Sequence, residues 1–298
     1  MSLFTRALAI ASLAFVGAAQ AQQTDFSKVQ IKATALGHGM YMLEGAGGNI
    51  TVAPGQDGVI MVDGQFAPLH DKIKSEIGAI GKQQPIRYLI NTHFHGDHTG
   101  GNAPFAGDGV TVVAHPNVKK RLAEGTISFT GARIAPAPRE ALPARTYADS
   151  TTLAVKGVTA RLAHPANAHT DGDTYVYFPA ANVLATGDIV ALGRYPTIDF
   201  PNGGGIDGMI AATATLLRIA NKDTRIVPGH GPLSSKGTVR SYRDMLLAAR
   251  ERVAKLKKEG KSEQEAMDAR PLADLDARVG ATPQASANFV RMVYNSLK

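Results

Sequence analysis

Two sets of short β-forming runs, each followed by an amphipathic helical stretch, divide this sequence, and that repetition limits the folds open to it more than any other feature. The first set lies at 40–43, 49–52 and 59–62, with glycine-rich turns such as Gly45-Ala46-Gly47-Gly48 between runs. Apolar residues then recur at helical spacing through Leu69, Ile73, Ile77 and Ile80, and the run 86–90 reads as a buried strand. Residues 110–114 read as a further strand and 116–122 as a short helix. Three prolines between 135 and 144 predict a surface connection there, since proline breaks both helix and strand ladders. The second set falls at 153–155, 158–162, 174–178 and 183–185, followed by a helix over 206–219 and a strand at 225–227. From Gly237 onward the chain is helix-rich, with lysines and arginines on a solvated face. A sheet must bury a face against another layer, so two β sets with their own helices predict an α/β protein: two mixed sheets packed together with helices outside, a four-layer αββα sandwich.

The 298 residues are 44% hydrophobic and 19% charged, without a low-complexity tract, which excludes a disordered chain. At the start, Arg6 precedes an apolar run of thirteen residues (7–19) and the triplet Ala19-Gln20-Ala21. That pattern predicts a cleaved signal peptide over 1–21; the run is too short for a bilayer, which takes about 20 residues. A linker over 22–28 and one domain over 29–298 are expected to follow, in the periplasm or secreted, with no stable membrane insertion. Cysteine is absent, so disulfides, thiolate ligands and cysteine nucleophiles are excluded. The formal charge of +7 becomes +6 once Arg6 leaves, because residues 1–21 hold no acidic residue. A modest positive field favours a small, anionic substrate. Scattered basic residues and 6% aromatics argue against nucleic acid as a partner.

The strand at 86–90 runs almost directly into Thr92-His93-Phe94-His95-Gly96-Asp97-His98-Thr99-Gly100-Gly101, which sets three imidazoles and one carboxylate within six positions. In an extended loop His93, His95 and Asp97 alternate and project to one side. Imidazole and carboxylate without thiolate suit zinc, and also iron or manganese. The other histidines carry less. His38, His70 and His115 stand outside every motif, and His164 competes for a ligand position only with His169, five residues on.

The pattern H-x-H-x-D-H filled by His93, His95, Asp97 and His98 resembles the signature of the metallo-β-lactamase superfamily. Later segments match in order: His169 in His-Thr-Asp-Gly-Asp, Asp188 in Ala-Thr-Gly-Asp, and His230 in Pro-Gly-His-Gly. The resemblance covers roughly residues 30–234. It implies that His93, His95 and His169 hold one zinc ion, that Asp97, His98 and His230 hold a second, and that Asp188 bridges them. Such a pair ionises water near neutrality and polarises a carbonyl oxygen. Asp97 would orient the hydroxide and relay its proton to the leaving group.

Members of this family hydrolyse β-lactams, thioesters, lactones, sulfate esters and phosphodiesters on one scaffold, so the fold leaves the substrate open. The bridging Asp188 resembles the thioesterases, lactonases and phosphodiesterases, where some β-lactamases carry cysteine or serine. Lactamases with that cysteine place a lysine three residues later; Ala191 stands there, and Arg194 is the nearest cation to grip a substrate carboxylate. The turn 45–48 and the loop 195–205, with Ile198 and Phe200, are expected to wall the cleft. An amide or ester hydrolase with at least promiscuous β-lactam hydrolysis is the expectation. The alternatives are a lactonase, thioesterase or phosphodiesterase on the same site, and beyond those an iron-dependent redox enzyme or a non-catalytic accessory protein of the same fold.

Overall fold

Alternation in the first β set builds a seven-stranded sheet whose two faces bury different side chains. The computed structural model describes residues 24–297, and the leader expected at 1–21 lies outside the described residues. Strands β1 (Lys32–Gly37), β2 (Met40–Glu44), β3 (Ile50–Pro54) and β4 (Val59–Val62) pair antiparallel in sequence order. Helix α1 (His70–Ile80) then crosses over, so that β5 (Ile86–Ile90) joins β4 in parallel. Two short helices follow, α2 (Gly96–Thr99) and α3 (Asn102–Gly107). Strand β6 (Thr111–Ala114) extends the sheet, and after α4 (Pro116–Glu124) the two-residue β9 (Arg145–Thr146) completes it. Between α4 and β9 the chain forms a small separate ribbon, β7 (Thr126–Ile127) with β8 (Arg133–Ile134), and the proline-rich stretch follows it as a connection with one 3-10 turn, Arg139–Ala141. Strand β1 and this ribbon are absent from the sequence expectations. The β1 segment Lys-Ala-Thr-Ala-Leu-Gly has few strong strand formers, and two-residue strands leave no periodicity to read.

The second set gives a five-stranded sheet in the order of the chain: β10 (Ser150–Val155), β11 (Val158–Ala163), β12 (Tyr175–Phe178), β13 (Val183–Ala185) and β14 (Arg225–Val227). The first four are antiparallel; β14, reached through helix α5 (Ile206–Ile219), lies parallel to β13. Between the sheets lie Leu36, Met42, Ile60, Val62, Ile90 and Val113 from the first, against Leu153, Leu162, Val176, Phe178 and Val183 from the second. The opposite face of the first sheet, with Val52, Val59 and Met61, buries Ile73 and Ile77 of α1 and Phe105 of α3. Each such side chain contributes about 1.5–3 kcal/mol relative to exposure.

Helix α5 and the carboxy-terminal helices α6 (Lys236–Lys258), α7 (Glu263–Asp268), α8 (Ala273–Val279) and α9 (Pro283–Ser296) cover the second sheet through one apolar cluster. In α6 that cluster takes Val239, Tyr242, Leu246, Ala249 and Val253, leaving the basic residues outside. Tyr195 stacks on Phe289 at 4.6 Å and donates its hydroxyl to Asp276 Oδ1 at 2.8 Å, which locks α8 and α9 to the loop after β13. The layers are helix, sheet, sheet, helix, as the two β sets predict. Residues Phe26–Lys28, at the end of the expected linker, form a 3-10 turn held by α1: Lys72 Nζ donates to the carbonyls of Phe26, Ser27 and Val29 at 2.7–3.0 Å. Among the described residues no helix is long and apolar enough to cross a membrane.

Candidate metal centre

Loops at the carboxyl ends of β5, β13 and β14 meet along one edge where the two sheets face each other. The β5 loop carries His93 and His95 and places His95 as the residue before α2, whose single turn carries Asp97 and His98. Asp188 sits in a 3-10 turn after β13, His230 follows β14, and His169 comes from the β11–β12 connection. All seven sequence-predicted residues converge, although they span 138 positions, from 93 to 230.

Three nitrogens face one another in a first pocket: His95 Nδ1 lies 3.1 Å from His93 Nε2 and 2.9 Å from His169 Nε2. The outer nitrogens assign the tautomers. His95 Nε2 donates to Asp199 Oδ2 at 2.9 Å, and His169 Nδ1 donates to the Thr197 carbonyl at 2.7 Å. Thr92 Oγ1 gives its own proton to Asp63 Oδ2, so it accepts from His93 Nδ1 at 3.0 Å. With those protons outside, three lone pairs point inward, which neutral rings tolerate at this distance only around a shared proton or cation.

A second pocket adjoins it. Asp97 Oδ2 is 3.1 Å from His230 Nε2 and 3.6 Å from His98 Nε2, and the two imidazole nitrogens are 3.3 Å apart. Asp188 reaches both pockets, with Oδ1 3.2 Å from His98 Nε2 and 3.5 Å from His230 Nε2, and Oδ2 3.9 Å from His169 Nε2. Its buried Oδ1 accepts no well-directed hydrogen bond. An orphaned carboxylate oxygen facing two imidazoles is costly unless a cation sits there; in the metal-free chain the charge on His98 serves, and a metal ion between the rings would take the place of that proton. The donor set, all nitrogen and oxygen, fits a metal centre: within each trio His93/His95/His169, His93/His98/Asp188 and Asp97/His98/His230, one ligand atom per residue lies within 4.8 Å of the others. Solvent reaches the centre from one side, where the side chains of Asp97 and His95 are 32% and 22% exposed; His93, His98 and His169 are buried.

Charge follows the same geometry. Burial opposes a proton on His98, but the carboxylates of Asp63 and Asp188 hold its pKa well above the usual imidazole value. Burial and the positive potential of the neighbouring histidines push His93 well below that value and His169 down to about 4. Burial works against ionising Asp97, yet the hydrogen bond from His230 and the charge on His98 hold it at about 2. Asp188 is likewise held well below the carboxylate range by His98, against burial.

Several residues that the sequence reading passed over brace these ligands. Asp63, directly after the buried run of β4, accepts from Thr92 N, Thr92 Oγ1 and His98 Nδ1, each at 2.8 Å. A carboxylate ending a buried strand is the one local sign that could have marked it. Asn49 Nδ2 donates to the carbonyls of Pro228 and Gly231, which fixes the His230 loop. Asp199 binds His95 from within the loop expected to wall the cleft. In that loop Ile198 instead packs wholly inside the helical cluster, with Phe200 half-buried against it, so the loop's contribution is polar. The turn 45–48 lies against His98, and a Cβ at Gly48 would overlap the ring. His164 is no rival ligand: its Nδ1 donates to the Asp173 carbonyl and its ring stacks on His115 at 3.8 Å. Arg194 is exposed, three residues past Ala191, whose backbone bridges to His230.

Solved structures share this architecture. A metallo-β-lactamase from Pontibacter korlensis superimposes with a TM-score of 0.59 at 20% identity, over 73% of this chain and 99% of that one. The DIM-1 metallo-β-lactamase gives 0.58 at 16% identity, over 74% of this chain and all of its own. At such identities the likeness shows the fold. Among curated proteins, the 2,4-dinitroanisole O-demethylase subunit alpha of Nocardioides sp. (strain JS1661) is 28% identical over 145 residues, which is 47% of this chain and 40% of that protein. The chain thus spans less than half of that relative. The model of the metallo-beta-lactamase superfamily matches residues 43–230, from the second strand to the last of the seven converging side chains. With sandwich, ligand order and family model in agreement, the chain belongs to the metallo-β-lactamase superfamily.

Proposed function

We propose that this protein is a dinuclear zinc hydrolase of the amide and ester type, with β-lactam hydrolysis among its activities. The observation that carries the reading is the orphaned Asp188 Oδ1 between two nitrogen-lined pockets. His93, His95 and His169 would hold one ion and Asp97, His98 and His230 the other, with one Asp188 oxygen toward each. Two dications there would lower the pKa of a shared water toward neutrality and polarise a carbonyl oxygen. Asp97, ionised, partly exposed and at the open side, would take a proton from water and return it to the leaving group. Arg194, exposed and three residues beyond Ala191, would be the cation that attracts an anionic substrate. Zinc is favoured by the ligand set; iron and manganese accept the same donors.

The test is metal analysis of the mature protein followed by a panel of nitrocefin, a penicillin, a carbapenem, lactones, thioesters and a phosphodiester, with Asp97→Ala as the blank. Two zinc ions per chain and turnover lost in the blank support the reading. Two ions with no turnover of any lactam remove the lactam part, and no ion at all removes the centre. The O-demethylase relative favours one second reading, cleavage of an activated aryl methyl ether, in which water oxygen replaces methoxy at the ring carbon and methanol leaves. 2,4-Dinitroanisole belongs in the panel for that reason. We also propose export with cleavage after Ala21, which amino-terminal sequencing of the protein from a periplasmic fraction tests.

A further inference from the structure

We propose that Asn202 is a positioning residue that ties the β7–β8 ribbon to the metal ligand His95 through Asp199, so that the ribbon and the first pocket move as one unit. The inference rests on the reading that His93, His95 and His169 hold a cation. Asn202 is 2% exposed and its single amide nitrogen faces three acceptors: Asp199 Oδ1 at 2.8 Å, Asp199 Oδ2 at 2.9 Å and the Ile127 carbonyl at 2.9 Å. Asp199, 3% exposed, passes the connection on, because its Oδ2 accepts from His95 Nε2 at 2.9 Å. Three hydrogen bonds therefore link the ribbon backbone to an imidazole whose other nitrogen lines the pocket.

The backbone of Asn202 leaves little freedom to absorb a change. Its N–H donates to the Asp199 carbonyl at 2.9 Å, and its carbonyl accepts from Asp171 N at 3.0 Å. Asp171 in turn is paired with Arg121 of α4 at 2.7 Å. A carboxylate gripped at both oxygens cannot rotate, so Asn202 fixes which Asp199 oxygen meets His95 and in what plane. The ribbon end of the linkage is open to contact. Ile127 and Ile134 are 48% and 50% exposed, and with Arg121, Arg133 and Pro201 they border a groove of about 600 Å³ that reaches Asn202.

The test uses the full chain with Asn202→Asp, which keeps the side-chain volume and sets a second carboxylate against Asp199. In the metal-free protein labelled with 15N-histidine, the His95 Nε2–H resonance is expected to be visible in the native protein through its bond to Asp199 and lost in the variant. Trypsin cutting after Arg133 is expected to speed up several-fold. With zinc or cobalt(II), chelator competition is expected to show the first-pocket ion bound about tenfold more weakly, with the second within twofold. The double variant Asp199→Asn with Asn202→Asp reverses donor and acceptor. It should restore the His95 resonance but not the protection at Arg133, since an aspartate at 202 has no proton for Ile127. A merely structural role predicts no such split. Persistence of the His95 resonance in Asn202→Asp overturns the proposal, as does unchanged cutting at Arg133. If Asn202→Asp fails to fold, Asn202→Ala carries the same readings. Should the native protein take up no metal, the hydrolase reading fails, while the metal-free resonance and proteolysis still decide the linkage.

Discussion

Replacing Asp63 by asparagine changes one heavy atom and reverses the hydrogen bonding of two ligands. The backbone at Asp63 has φ +64°, a conformation that asparagine tolerates as readily as aspartate, so the change adds no strain. In the native site Oδ1 accepts from Thr92 N, while Oδ2 accepts from Thr92 Oγ1 and His98 Nδ1. An asparagine must keep its oxygen on Thr92 N, which leaves its NH2 group facing Thr92 Oγ1 and His98 Nδ1. Both must then accept. His98, charged in the metal-free native protein, gives up its Nδ1 proton and keeps the one on Nε2, which leaves no lone pair for the second pocket, and Thr92 Oγ1 becomes a donor to His93 Nδ1, which reverses the first pocket as well. The number of bonds is kept, but the buried, charged His98 loses one of its two carboxylate partners, so the metal-free fold loses about 1.5–3 kcal/mol, the worth of hydrogen bonds to charged groups. Removing a ligand-orienting partner typically lowers metal affinity 10–100-fold, about 1.4–2.8 kcal/mol. Reversal of two ligands places Asp63→Asn at or beyond the upper figure. Urea unfolding of the metal-free protein and chelator competition with zinc separate the two effects. Native affinity at both pockets in a folded Asp63→Asn protein refutes the tautomer argument.

Three further outcomes follow from the same geometry. Gly48→Ala places a methyl group on the His98 ring, and the second-pocket ion is expected to be lost while the first remains, as cobalt(II) titration would show. Tyr195→Phe removes the bond to Asp276 but keeps the stack on Phe289; about 1 kcal/mol of stability is lost by urea unfolding, with native metal content. His115 accepts from Asn117 N at the start of α4, and burial together with nearby His164 lowers its pKa to about 4. The unfolded chain therefore binds the extra proton below about pH 6.5 and the folded one only near 4, so this contribution is full above 6.5 and drains away toward 4. Thermal melts across that range should show a gentler slope for His115→Asn, which retains the cap without titrating.

What the sequence reveals divides along physical lines. The αββα layering was legible because buried strands such as β4 and β5 are unbroken apolar runs, and α1 and α5 repeat at helical spacing. The ligands were legible because four of the seven crowd into 93–98, where so many metal-binding groups have little other use. Their braces were not. Asp63 and Asp199 lie 35 and 104 positions from the histidines they hold; Asp63 has only its place after a buried strand to mark it, and Asp199 has no local pattern that separates it from a solvated aspartate. Ile198 shows the converse error: an apolar residue in a loop reads as a cleft wall, but the carboxy-terminal helices supply it with a core.

Each pocket draws from both halves of the molecule: His93 and His95 with His169 in one, Asp97 and His98 with His230 in the other, and Asp188 on the seam. In a chain without a single cysteine, ions seated there would rivet the two sheets together much as a pair of crosslinks does elsewhere. Chelation should then do more than silence chemistry. It would unfasten the sandwich along its length, and the demetallated protein should unfold faster than the loaded one even in buffers where both are fully folded.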